Sequence, residues 1–227
     1  MSENTAFNPD VIIGKVKWVI MDPRGYFQQM PRSGGYVEPM VFIAIMAAVL
    51  GVISAVWALF GATTGVVAGG FFAALIFTPI AAVIGAFIGA AILFVIWKLM
   101  GSDENYETAF RCQSSVAAIY PIVGIVSIVP YVGNILAIAW GAFLMIEASV
   151  QVHGRSRKLA TTVFGILAVL MILSNTAGER ASRNMAERME NMGTQFEGYE
   201  EMSPEEAGRK MGEFLRGMEE AQKKNNG

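Results

Sequence analysis

Cysteine and histidine are almost missing from this chain, since Cys112 and His153 are each the sole residue of their kind among 227. One cysteine excludes an intrachain disulfide and leaves no second thiolate for a zinc cluster. Cys112 reads most simply as a small apolar residue in a helix. A lone histidine, with no cysteine close to it along the sequence, argues against a metal centre or a cysteine–histidine nucleophile. Charge is scarce too. Asp, Glu, Lys and Arg make up 16% of the residues, against roughly 25% in an average soluble domain. The formal net charge of −2 argues against nucleic acid as a partner. A P-loop is also missing, because the glycines at Gly61, Gly65, Gly69 and Gly70 lack the following lysine and the strand context. No catalytic residue, cofactor or metal site is expected.

What fills the chain instead is apolar: 54% of the residues are hydrophobic, and the mean hydropathy is +0.46. These residues are grouped, with Val37 to Lys98 and Val116 to Val152 almost free of charge. An unbroken helix there exposes apolar side chains on every face, which suits lipid. The fold class expected is all-α, a polytopic membrane helix bundle with a helical soluble tail. A span needs about 20 apolar residues to cross ~30 Å of hydrocarbon. Five segments qualify: 39–60, 66–100, 109–129, 132–152 and 159–173. The second is too long for one straight crossing and too short for two. It reads as one long helix, kinked or tilted at Pro79, with its first turns in the interface. Pro121 lies inside the third span, and Pro130 with Gly133 makes a tight turn before the fourth. The division expected is an N-terminal segment 1–36, a membrane domain 37–174 and a tail 175–227. The first 36 residues are mixed and polar, so the N-terminus is expected to be retained, with the first span directing insertion.

Charge placement tests that layout independently. Lys15, Lys17, Arg24 and Arg32 precede the first span, Lys98 and Arg111 bracket the second connection, and Arg155, Arg157 and Lys158 follow the fourth span. The connections Gly61 to Gly65 and Pro130 to Gly133 carry no charge. By the positive-inside rule, this alternation puts the N-terminus in the cytoplasm and the tail on the far side.

The flanks are amphipathic. Val11, Ile12, Val16, Val19 and Ile20 share one helix face beside Trp18, with Lys15 and Lys17 assigned to the polar side. Two placements are open: on the cytoplasmic membrane surface, or docked on the protein's own spans. The tail holds 8 basic and 11 acidic residues. Ala177, Ala181, Met185 and Met189 form a narrow stripe. A second helix starts at the capping box Ser203-Pro204-Glu205-Glu206, with Ala207, Met211, Phe214, Leu215 and Met218 on its apolar face. Met211, Phe214, Leu215 and Met218 are the candidate partner-binding face, methionine being adaptable; self-association and membrane packing are the alternatives. Small residues recur at Ala81, Gly85 and Gly89 and at Gly133, Ala137 and Gly141. They fit close helix packing within one chain or in a homo-oligomer.

Among polar groups, Asp103, Glu104 and Glu107 read as helix-start acids in a solvated loop rather than a cation site. Arg111 and Lys98 lie near span ends, where long basic side chains reach the interface. Glu147 is the only charge deeper in a span, on a stripe with Leu136, Trp140 and Phe143, and a charge there is costly. Glu147, Arg111 and Gln151 are therefore the candidate intramembrane functional residues. Glu147 is expected near Gln151, with Arg111 a further neighbour. The plainer alternative is that it lies close enough to the boundary to reach water.

The order of landmarks resembles the prokaryotic members of the Yip (Ypt/Rab GTPase-interacting protein) family. The landmarks are Asp22-Pro23-Arg24-Gly25-Tyr26-Phe27, Met30-Pro31, Gly34-Gly35 and Glu38-Pro39, then Gly101, Tyr106-Glu107-Thr108-Ala109-Phe110 and Tyr120-Pro121. The stretch Pro130 to Ile146, Val152-His153-Gly154-Arg155-Ser156 and Lys158-Leu159-Ala160 complete them, so that the likeness covers roughly residues 9 to 174. It implies a non-catalytic trafficking or membrane-organising protein with five spans and a cytoplasmic N-terminus. Eukaryotic members bind Rab-type GTPases in Golgi and endoplasmic-reticulum transport. Their Asp-Leu-Tyr-Gly-Pro motif has no counterpart beyond Asp22-Pro23, and Ala118-Ile119 precedes Tyr120 where a Gly-Tyr pair is expected. Both departures argue against Rab-type GTPase binding. The short N-terminal region and the charged tail fit a bacterial inner membrane better than a Golgi or endoplasmic-reticulum one. Two function classes follow: a scaffold that works through its amphipathic flanks, or a transporter or channel that uses Glu147 and the helices broken at Pro79 and Pro121.

Overall fold

Proline directly after Asn or Asp starts both N-terminal helices. Asn8 caps α1 (Pro9–Met21) by accepting from the Asp10 N–H, and Asp22 caps α2 (Pro23–Gln29) by accepting from the Gly25 N–H at 2.9 Å. An amide oxygen or carboxylate satisfies a donor that the first turn leaves unpaired, and proline there forfeits nothing. The computed structural model describes residues 8–59, 68–129 and 131–200, with Gly208, Arg209, Gly212 and Arg216. All regular elements among them are helical. The chain continues through α3 (Val37–Leu59), α4 (Ala68–Leu99), α5 (Tyr106–Ser115), a 3-10 turn over Val116–Ile119, α6 (Tyr120–Val126), α7 (Val132–Gln151) and α8 (Arg157–Glu200).

Among the described residues, five stretches are long and apolar enough to cross a bilayer: Val37–Trp57, Phe77–Leu99, Tyr106–Val126, Val132–Gln151 and Arg157–Ser182. On α4, Phe77, Ile80, Ile84, Ile88, Ile92, Val95 and Leu99 are exposed at helical spacing, whereas Ala86, Ala90 and Trp97 turn inward. A continuous stripe of bare branched side chains matches hydrocarbon and is rare in contact with water. The small-residue face that packs is thus offset from the expected one. A Cβ on Gly85 would meet nothing within 4 Å, and one on Gly89 would lie 3.2 Å from Gln113 Nε2. On α7 the expected face does pack: a Cβ on Gly133 would lie 3.1 Å from the Ser127 Cα, and one on Gly141 would lie 3.7 Å from Val116.

The third span is broken in the middle by its own chemistry. Pro121 has no N–H to give to the Ala117 carbonyl, so Tyr120 donates to it instead, and the helix tightens into the 3-10 turn. The Ser114 and Ser115 hydroxyls bond back to the Arg111 and Cys112 carbonyls at 2.8 and 2.6 Å. Beyond the break, α6 closes onto α3. The Trp57 indole donates to the Gly124 carbonyl at 2.9 Å. A Cβ on Gly124 would lie 3.0 Å from Leu50.

Of the two placements open for α1, docking on the bundle is seen. Val19, Tyr26, Phe27 and Met30 are buried in one cluster with Phe42, Ile43, Met46, Ala117 and Ala118, and Ile12, Val16 and Ile20 pack against it. Lys15 corrects the sequence reading. It turns inward to pair with Glu38 at 2.7 Å and lies 4.4 Å from the Phe42 ring centroid. Its stem gains apolar contact while the ammonium keeps a carboxylate and a ring face.

The chain divides into two units, 1–176 and 177–227. In the second, 177–200 complete α8, with no break at residue 173, where the span was expected to end. Met211, Phe214, Leu215 and Met218 lie outside the described residues.

Candidate functional site

Side-chain hydrogen bonds and ion pairs tie together three segments far apart in the chain: 22–38, 98–111 and 147–157. Gly34 and Gly35, with φ of 126° and 82°, begin this assembly. Such backbone favours glycine, and a Cβ on Gly34 would lie 2.9 Å from Arg111 Nη2. The turn lets Arg111 Nη2 donate to the Gly35 carbonyl at 2.7 Å, while the Gly35 N–H donates to Glu107 at 2.7 Å. Arg111 also meets Glu38 and Glu107, each at 3.3 Å. The charge on this side chain, only 6% exposed, is therefore opposed on two sides. Next to it Arg32 pairs with Glu104 at 2.5 Å, and the Thr108 hydroxyl bonds the Arg32 carbonyl at 3.0 Å. Glu104 and Glu107 are thus ligands for the N-terminal segment and are not solvated loop acids; Asp103 alone stays exposed.

Glu147 does not pair with Arg111. Its carboxylate takes both Nη atoms of Arg157, at 2.5 and 2.9 Å, and Gln151 Nε2 lies 3.5 Å away. Gln151 in turn accepts from Gln28 at 3.0 Å. The reason lies in the chain path. Gly154, with φ of 62°, turns the chain so that α8 begins beside the end of α7, while Arg111 faces the Gly34–Gly35 turn from α5. A planar guanidinium against a carboxylate in two-point contact is a strong, geometrically fixed pair. Of the candidate residues, Glu147 and Gln151 come together, and Arg111 belongs to a separate group.

A buried knot escaped the sequence reading. Gly101, with φ of 86°, ends α4: the Gly101 N–H bonds the Lys98 carbonyl and the Ser102 N–H bonds the Trp97 carbonyl, both at 2.9 Å. Ser102 Oγ then lies 2.7 Å from His153 Nδ1 and accepts from the Glu104 N–H at 3.2 Å. The direction of the Ser102–Nδ1 hydrogen bond follows the imidazole tautomer. Nε2 faces Cys112 Sγ at 4.0 Å. The imidazole stacks on Trp97 at 3.8 Å between centroids, and the Trp97 indole donates to Ser149 Oγ at 2.8 Å. Arg155 closes the knot by donating to the Met100 and His153 carbonyls. Burial holds the imidazole neutral, with its pKa pulled down to about 3, and the nearby Arg32, Arg155 and Lys98 act in the same direction. The pair that the sequence spacing argued against does therefore meet. The pair is buried, with Cys112 0% and His153 4% exposed. Among the described residues no group of three or more His, Cys, Asp or Glu is placed to hold a metal ion.

Five apolar spans, a broken central helix and one ion-paired end define a polytopic helical membrane protein. Within that class, residues 18–177 match the family model of the Yip1 domain, and the chain belongs to that family. Comparison with curated proteins and with solved structures finds no match. The matched residues include the Asp22 cap, the Gly34–Gly35 turn under Arg111, the Gly101 helix end and the Tyr120-Pro121 break, so the landmarks of the resemblance are the joints of this fold.

Proposed function

We propose that this protein is a non-catalytic membrane scaffold whose working surface is the polar end of the bundle, assisted by its amphipathic tail. The observation that carries this reading is the use of the polar groups. Glu147, Arg111, Glu107 and Glu104 all take part in ion pairs that tie the N-terminal segment and two connections into one body. A transport role for Glu147 draws no support from that arrangement, because its carboxylate is held by Arg157. The basic flanks support a cytoplasmic position for this end, with the family likeness and composition favouring a bacterial inner membrane. The amphipathic tail is the surface offered to a protein partner. The missing motifs speak against a Rab-type GTPase in that role, and a second copy of the chain is the other occupant to test.

A complementation assay in a deletion strain tests the proposal. Removal of residues 203–227, or serine at Met211, Phe214 and Met218, is expected to abolish rescue and the recovery of partners. The Glu147→Gln/Arg157→Gln double variant keeps a neutral hydrogen-bonding pair and is expected to rescue. The reverse pattern, or Glu147-dependent solute flux in liposomes, overturns the scaffold reading.

A further inference from the structure

We infer that the cavity beneath α1 binds the phosphate headgroup of an anionic phospholipid, with Lys15 and Arg111 as its cationic ligands. The cavity measures about 580 Å³, and its wall includes Lys15, Arg111, Glu38, Ser114, Trp18 and Tyr26. A half-buried and a buried cation share one carboxylate there: Lys15 Nζ contacts Glu38 Oε1 at 2.7 Å, and Arg111 Nη1 contacts Oε2 at 3.3 Å. Glu107, the second acid on Arg111, engages Nε and is not part of the wall. The wall charges therefore sum to +1, from two cations and one anion.

Hydrogen-bond accounting points the same way. An ammonium has three donors and a guanidinium five. Lys15 uses one, on Glu38, and Arg111 uses three, on Glu107, Glu38 and the Gly35 carbonyl. Two donors on each cation are without a partner among the described residues, and phosphate oxygens would meet that demand with charge-assisted bonds. Burial lowers the Lys15 pKa in spite of Glu38, and Arg111 opposes it as well.

The surroundings choose a lipid over a free phosphate. The outer side of α1 exposes Val11, Ile13, Trp18 and Met21 beside the charged Asp10 and Lys17. Trp18 and Val11 also line the cavity. An amphipathic helix with an outward tryptophan suits the headgroup–acyl boundary. A phosphate between Lys15 and Arg111 would leave acyl chains to lie along that face. This assignment stands apart from the scaffold reading and does not depend on it.

Thermal unfolding of the full chain in a non-ionic detergent provides the test. Phosphatidylglycerol is expected to raise the midpoint saturably, and phosphatidylcholine and glycerol 3-phosphate are expected to leave it unmoved. Lys15→Gln should raise the half-saturating phosphatidylglycerol concentration about tenfold, whereas Lys17→Gln, on the exposed side, should not change it. Glu38→Gln removes the competing carboxylate and should lower that concentration, an outcome that mere structural damage does not produce. Equal responses to the two lipids, or a full response to glycerol 3-phosphate, overturn the assignment. Indistinguishable Lys15→Gln and Lys17→Gln variants overturn it too. If Lys15→Gln does not fold, Glu38→Gln decides: an unchanged or higher half-saturating concentration contradicts the site.

Discussion

Glu147 and Arg157 meet in two-point contact at the end of α7, with the carboxylate 6% and the guanidinium 51% exposed. Because the acid is buried and the base is half in solvent, Glu147→Gln and Arg157→Gln should each cost about 1–3 kcal/mol. The double variant should cost less than their sum, since each single change strands the other group. Glu147→Gln combined with Arg111→Gln should instead be additive, and thermal midpoints in detergent separate the two cases. His153 sets a pH dependence. Its folded pKa of about 3 lies below the ordinary value near 6.5, so the unfolded chain binds the extra proton first. The stability contributed by the neutral ring is full above pH 6.5 and is lost as pH falls towards 3. His153→Gln should therefore be less stable at pH 7 and should lose less stability between pH 6.5 and 5. At this scale the sequence was only partly legible. Glu147 and Gln151 are one helical turn apart and were found together. Cys112 and His153 are 41 residues apart, and no spacing rule joins them. Lys15 was misplaced because two helix faces compete for it, and Glu38 and the Phe42 ring lie far along the chain.

Among the elements, the glycines show which helix faces carry contact. Gly124→Ala should destabilise by about 1–3 kcal/mol, because its Cβ would press on Leu50 and Ile53 at 3.0 and 3.2 Å. Gly85→Ala meets open space and should be neutral or stabilising by up to about 1 kcal/mol. Melting curves of the two variants check this opposite behaviour. The α1 dock is tested by Val19→Ala. Val19 is 0% exposed, so truncation should cost roughly 1–3 kcal/mol and speed proteolysis of the N-terminal segment. Helix starts at Pro9 and Pro23 and the Gly101 stop were readable, because caps are local chemistry. The break at Pro121 was readable as well. Which face of α4 packs was not, because Ala81-Gly85-Gly89 and Ala82-Ala86-Ala90 have the same period and only the partner helices distinguish them.

For the molecule as a whole, the apolar runs and the alternation of basic with uncharged connections led to five spans, and the described residues hold five helices long and apolar enough to cross. The structure adds the reason why the basic segments belong together. Arg32 holds Glu104, Gln28 holds Gln151, and Arg155 holds the Met100 carbonyl, so the N-terminal flank and two connections form one end of one body. The N-terminal flank and the connections before α5 and α8 are then expected on a single side of the membrane, which takes an even number of crossings between them, with the span that opens α8 as the fifth. Cysteine labelling in a Cys112→Ser background measures this directly. Single cysteines at Ser33, Asp103 and Ser156 should react with an impermeant thiol reagent from the cytoplasmic side only, and those at Ile128 and Ser203 from the opposite side only. Labelling of Ser156 and Ser203 from the same side, or of Ser33 and Asp103 from different sides, would contradict the five-span body with one polar end.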